Sequence, residues 1–190
     1  MSFTLTCNQN LWSYFNAVSP EGSVSVSPLN MAFNRGDNVT LNCSTLGGPD
    51  NTYQWQRNGT DLDNETMQSI TITHISALDG GKYTCVVSNA AGNDSASTVL
   101  NVFPEIVLNP KDANATNGTV RMLVCEAEAF PEPQYQWMRV GGMFSENVVG
   151  VDTSMLVFDT VMFGDEGGYY CSATANRVTV TSDNATLAGL

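Results

Sequence analysis

The chain has 190 residues, room for one or two domains, and a 42 % apolar fraction that can build cores and so excludes wholesale disorder. Against 19 Asp and Glu stand 7 Lys and Arg, all scattered singly, and the net charge of −12 leaves no basic patch for nucleic acid or anionic lipid. No apolar run approaches the roughly 20 residues that cross a bilayer, and Met1 to Ala17 lack the basic start and solid apolar stretch of a secretory signal.

Residues 1–21 hold Cys7, Trp12, Tyr14 and Phe15 but no complete domain, and they read as an N-terminal extension or stalk. Strand patterns begin at Val39-Thr40-Leu41-Asn42-Cys43, where apolar residues alternate as on a half-buried strand. Thr52–Arg57, Ile70–Ile72 and Lys82–Ser88 follow as strands, divided by turn residues at 47–50, Asn58-Gly59, Asp79-Gly80-Gly81 and Ala91-Gly92-Asn93. Val99–Phe103 ends the last strand of this set and Ile106–Leu108 opens the next, with only Pro104 and Glu105 between them. Pro104 stiffens that link because its ring fixes φ. Farther on, Val120, Met122 and Val124 fall on one face of a strand and Leu123 and Cys125 on the other. Gln134–Val140, Leu156–Phe158 and Gly168–Ala175 complete the pattern. No stretch keeps a 3.6-residue apolar period over a helix length, so the class is all-β.

One unit occurs twice. Cys43 and Cys125 lie 82 residues apart, as do Trp55 and Trp137. Cys85 and Cys171 lie 86 apart, as do Tyr83 and Tyr169, and Asp79 and Asp165. The predicted domains are 22–103 and 104–190. Five cysteines in a chain outside the cell would leave one over. Asn-x-Ser/Thr sequons begin at Asn38, Asn42, Asn58, Asn64, Asn93, Asn114, Asn117 and Asn184, where chance predicts roughly three or four. That density, beside cysteines, points to a glycosylated and oxidising compartment.

In their Cys, Trp, Tyr and Cys spacing, residues 22–190 resemble the immunoglobulin superfamily, and both copies match its Asp-x-Gly-x-Tyr-x-Cys run at Asp79–Cys85 and Asp165–Cys171. The resemblance implies two antiparallel β-sandwiches with inter-sheet disulfides Cys43–Cys85 and Cys125–Cys171. Loops of that length would stabilise each domain by about 4 kcal/mol. It further implies that Trp55 and Trp137 pack on the bridges and that Tyr83 and Tyr169 form tyrosine corners. Cys125-x-Ala127-x-x-x-Pro131-x-Pro133-x-Tyr135-x-Trp137 resembles the intermediate set of such domains, and the first copy keeps Gly47, Pro49, Tyr53 and Trp55 at the same offsets. The second copy departs where Ala175 replaces the counterpart of Asn89 and Arg177–Thr181 lengthens the hairpin, so the register there is left open. As a whole the chain is similar to the two-domain ectodomain of a sponge receptor tyrosine kinase.

That resemblance implies an extracellular ligand-binding region of a single-pass cell-surface receptor, acting by protein–protein recognition. The other reading is a homophilic adhesion module, with another copy of itself as partner. Enzymatic work by this region is not expected. His74 is the only histidine, and no nucleophile or orienting group accompanies it. The cysteines lack the short paired spacing of zinc sites, no cofactor loop is present, and Asp61, Asp63, Glu65, Asp165 and Glu166 read as solvated carboxylates. Glycans at Asn38 and Asn42 would shield one sheet face of the first domain. Contact candidates are apolar loop and hairpin residues: Met143, Phe144, Asn147-Val148-Val149, Met162, Phe163, Val178 and Val180. Cys7 is open to three readings: a partner lost with a preceding domain, a bridge between chains, or a free thiol.

Overall fold

The computed structural model describes residues 18–46, 48 and 50–189. Cys7, Trp12, Tyr14, Phe15, Gly47 and Pro49 lie outside the described residues. In chain order the first strands are β1 (Ser25–Ser27), β2 (Ala32–Phe33), β3 (Val39–Ser44), β4 (Thr52–Arg57), β5 (Thr60–Asp61), β6 (Ser69–Ile72), β7 (Gly81–Asn89) and β8 (Gly92–Leu108). They are followed by β9 (Ala113–Asn114), β10 (Arg121–Val124), β11 (Glu126–Phe130), β12 (Gln134–Arg139), β13 (Val148–Val149), β14 (Met155–Phe158), β15 (Gly167–Ala175), β16 (Val178–Thr181) and β17 (Ala185–Ala188). Apart from two single 3-10 turns, Ala77–Asp79 and Phe163–Asp165, no helix occurs among the described residues. The chain forms two compact units. The first takes residues up to Met31 with Asp37–His74 and Gly81–Leu100; the second takes Ala32–Gly36, Ile75–Gly80 and Asn101–Leu190.

In the first unit, β1, β3 and β6 make one antiparallel sheet, in that order. The facing sheet is built from β5, β4, β7 and the first part of β8. Strand alternation decides what each face does: Val39, Leu41 and Cys43 of β3 are buried, while Thr40, Asn42 and Ser44 are exposed. Cys43 is bonded to Cys85 on β7, which pins the two sheets together. Trp55 is fully buried, and its indole N–H donates to the Met67 carbonyl at 3.0 Å, so its one polar atom is satisfied inside the core.

The second unit repeats the plan. Its small sheet is β10–β14–β13, and its larger sheet runs β12–β15–β17–β9 with β16 paired to β15. Cys125 is bonded to Cys171. Trp137 donates to the Thr153 carbonyl at 2.9 Å. The Tyr169 ring meets Phe158 edge-on at 5.2 Å, and its hydroxyl donates to the Asp165 carbonyl at 2.5 Å, closing a tyrosine corner. Leu123, Leu156, Phe158, Val161 and Leu187 fill the rest of this core. Burying each such side chain stabilises the fold by roughly 1.5–3 kcal/mol.

Two details differ from the sequence reading or complete it. The break expected at Pro104 and Glu105 is absent: β8 is one strand of 17 residues. Its pairing with β7 ends at Leu100, and from Val102 onward it pairs with β11 instead. A proline is tolerated in such a strand because its φ suits extended backbone and a ladder that changes partner need not use every N–H. The hairpin register left open is now defined: Ala175 pairs with Val178, and the two turn residues Asn176 and Arg177 have φ of 52° and 65°. Both lie in the left-handed region that a tight two-residue hairpin turn demands.

Candidate interaction surfaces

All eight sequon asparagines are exposed. Asn42 projects outward from β3, and Asn38 stands just before that strand, with its side-chain oxygen accepting the His74 N–H at 2.9 Å. Asn58 and Asn64 occupy turn positions with φ of 50° and 64°. Asn93 is the second residue of β8, Asn114 ends β9, Asn117 lies between β9 and β10, and Asn184 precedes β17.

The apolar contact candidates do not gather in one place. Met143 and Phe163 are 88 % and 69 % exposed and belong to two loops tied together by Arg139. That guanidinium donates to the Met143 carbonyl at 3.2 Å and to the Gly164 and Glu166 carbonyls at 2.5 and 2.9 Å. Phe144, by contrast, is half-buried and stacks on Tyr169 with centroids 6.1 Å apart, so it caps the core. Val178 and Val180 sit on β16, away from those loops, with Val178 37 % exposed and Val180 half-buried. Val148 packs against the core, whereas its neighbour Val149 faces solvent.

Asp165 departs from the solvated carboxylate expected of it. It is fully buried and accepts hydrogen bonds from the Met162 N–H (2.8 Å), the Ser145 hydroxyl (2.7 Å) and the Asn147 amide (2.8 Å). Burial pushes its pKa up, but these three donors and the nearby Arg139 outweigh burial and hold it below the usual carboxylate value. Asp94 is also held below that value: the Ser95 N–H is the leading cause, opposed by desolvation and joined by N–H groups of Gly22, Val24 and Ser23. Burial, together with the Asp165 charge and against the pull of Arg139, raises Tyr169 above its ordinary value.

A surface that the sequence reading did not single out lies on the outer side of the β10–β14–β13 sheet. Met122 pairs with Val157, which pairs in turn with Val149, and Val124 pairs with Met155. Met122, Met155 and Val149 are 56 %, 38 % and 47 % exposed, with Val120 at 56 % beside them. The repeat offsets place Thr40 and Thr71 where Met122 and Val157 stand, and Asn42 and Ser69 where Val124 and Met155 stand. In the first unit the threonine pair shares a hydrogen bond of 2.9 Å between hydroxyls. The signal was present in Val120, Met122 and Val124, which alternate against the inward Leu123 and Cys125 and so make the strand apolar on both sides.

His74 is exposed in a left-handed conformation, φ 52°, at the end of β6. Among the described residues no group of three or more His, Cys, Asp or Glu side chains converges as a metal site would require.

A family model described as an immunoglobulin domain matches residues 22–89 and again 104–175. The chain is 31 % identical over 160 residues to the mouse basement membrane-specific heparan sulfate proteoglycan core protein, covering 82 % of this chain and 4 % of that protein. It is 27 % identical over 184 residues to mouse neural cell adhesion molecule 1, covering 83 % of this chain and 16 % of that protein. The chain thus spans a small part of the length of these relatives. Among solved structures, a titin A168–A169 pair superposes with a TM-score of 0.64 at 21 % identity, covering 88 % of this chain and 99 % of that one, a likeness of fold.

Proposed function

We propose a function from the premise that this chain belongs to the immunoglobulin superfamily: it is an extracellular protein-recognition region, the ligand-binding part of a single-pass receptor of the receptor tyrosine kinase type. The recognition of proteins outside the cell is the coarser statement, and relatives named for basement membrane and for cell adhesion support it. The receptor type is the finer one. The observation that carries the reading is that eight sequon asparagines are all exposed on domains whose disulfides are buried, the arrangement of a chain matured in an oxidising secretory route. We take residues 22–103 and 104–190 as the two domains, residues 1–21 as the segment preceding them, and N-linked glycans as the modification they carry. Ligand binding would bring two receptors together and so pass a signal across the membrane.

Homophilic adhesion is the second reading, favoured by the likeness to a neural cell adhesion molecule. Light scattering on the chain secreted from animal cells, over a concentration series with and without reductant, separates the two. A monomer throughout supports a receptor that awaits a different ligand. A dimer that survives reductant supports homophilic contact. Glycosidase treatment followed by mass spectrometry checks the sequons, and a chain that leaves the secretory route without any glycan would sink the extracellular reading.

A further inference from the structure

We infer that Asn42 is a glycan site gated by oxidation: its side chain accepts an N-linked glycan only while Cys43 is still a thiol, and closure of the Cys43–Cys85 bridge ends the opportunity. This deepens the extracellular, glycan-bearing reading above and rests on it. Asn42-Cys43-Ser44 is the one sequon of the eight whose middle residue is a cysteine. That cysteine is fully buried and bonded to Cys85. Asn42 is also the one sequon asparagine that the described strands flank on both sides. It stands between Ser27 of β1 and Ser69 of β6, on the middle strand of its sheet. Asn93 and Asn114 pair on one side, with Ser88 and Ala188, and the other five lie in turns or connections. The backbone of Cys43 is held further by Gln68: its N–H donates to the Gln68 carbonyl at 3.0 Å, and its carbonyl accepts from the Gln68 side-chain amide at 2.9 Å.

Glycan transfer joins the Asn42 amide nitrogen to the anomeric carbon of a lipid-linked oligosaccharide. The lipid diphosphate leaves with the electrons of the broken C–O bond, and the amide gives up one proton to a base. The sequon must bend for this, bringing the Ser44 hydroxyl to the Asn42 amide as such side chains meet in turns. On β3 it cannot bend, because residues two apart on a strand stand about 6.5 Å apart along it and both neighbouring strands hold the ladder. The reaction therefore belongs to the chain before β3 pairs. In bridge closure the Cys43 and Cys85 thiols pass two electrons and two protons to a disulfide of the secretory route, by thiol–disulfide exchange. That fixes β3 between its neighbours and ends the reaction. The reverse order is open: Asn42 projects outward while Cys43 is buried, so a glycan added first leaves the bridge free to form. The pace of oxidation thus sets how many chains carry a glycan over the Thr40, Ser69 and Thr71 face.

The test reads occupancy at each of the eight sequons by glycopeptide mass spectrometry. The full chain is made in animal cells with and without dithiothreitol during synthesis, and the secreted and cell-associated pools are both analysed. Reductant is expected to raise Asn42 occupancy by about twofold or more and to leave the other sequons unchanged. Cys43→Val with Cys85→Val keeps an Asn-x-Ser sequon and removes both thiols. It is expected to show the raised occupancy without reductant and no response to it. Reading the cell-associated pool keeps this variant informative even where it fails to fold. A second measurement needs no cells: purified oligosaccharide-transferring enzyme with its lipid donor should modify Asn42 in the reduced, unfolded chain and not in the oxidised, folded chain. Equal Asn42 occupancy with and without reductant would overturn the inference. So would a uniform rise at all eight sequons, which reports slower folding in general, or an Asn42 that stays empty in the double-valine variant. Modification of Asn42 in the oxidised, folded chain would overturn it as well. Any of these results with glycans at the other sequons leaves the extracellular reading standing, whereas a chain without glycan at any of the eight sinks that reading itself.

Discussion

The two units share a core and differ in the face they turn outward. In both, a disulfide joins the sheets and a buried tryptophan donates its indole N–H to a backbone carbonyl. On the small sheet, the first unit shows Thr40, Asn42, Ser69 and Thr71 to solvent; at the equivalent positions of the second, Met122 and Met155 are exposed and Val124 and Val157 half-buried. A strand has two independent faces, so a repeat can hold one fixed by packing while the other changes with what it meets. Shared inward residues thus report the fold, and divergent outward residues are released from that constraint.

The largest effects should be equal in the two units. Trp55→Ala and Trp137→Ala each remove a fully buried side chain and are expected to cost about 3–5 kcal/mol in their own unit. Calorimetry of the full chain checks this: each variant should lower the transition of one unit and spare the other. A loss of that size from only one of the two variants would show that the cores are not equivalent despite the matched spacing.

The next effect should differ between units. Asp165 is fully buried with three donors, whereas its counterpart Asp79 is half-buried and accepts from the Ser76 N–H and hydroxyl at 2.9 and 2.8 Å. Asp165→Asn is expected to cost about 1–3 kcal/mol, and Asp79→Asn less. The pH dependence carries the sign. Because the folded pKa of Asp165 lies below its unfolded value, its contribution is fully present above the ordinary carboxylate range near pH 4. That contribution is lost as pH falls through the lower folded value. Denaturant unfolding at a series of acidic pH values should show this loss in the parent chain and a flatter acid limb in Asp165→Asn.

The sequence made the inward residues legible, because disulfide, tryptophan and tyrosine must keep fixed spacings to meet between two sheets. Its limits lie where tertiary context decides. Asp79 and Asp165 share one motif, yet only Asp165 receives Ser145 and Asn147, which arrive from the connection between β12 and β14. Phe144 read as an exposed contact, but the same connection folds it onto Tyr169. Pro104 read as a link, although the ladder changes partner there and the strand continues. Met122 and Val157 were visible as letters; their meeting across strands, in one row with Val149, needed the register.

The smallest effect sharpens the comparison most. Met122→Thr with Val157→Thr would recreate on the second unit the threonine pair of Thr40 and Thr71. Each substitution is expected to change stability by no more than about 1 kcal/mol, since Met122 is exposed, Val157 is half-buried and a cross-strand threonine pair is itself favourable. Leu123→Ala, one residue from Met122 but buried, is expected to cost about 2–5 kcal/mol. Urea unfolding measures both. A large loss from the threonine pair would mean that Met122 and Val157 hold the unit together, and the apolar face would then be a matter of packing. A near-zero change would mean that the fold has no need of methionine and valine at those positions.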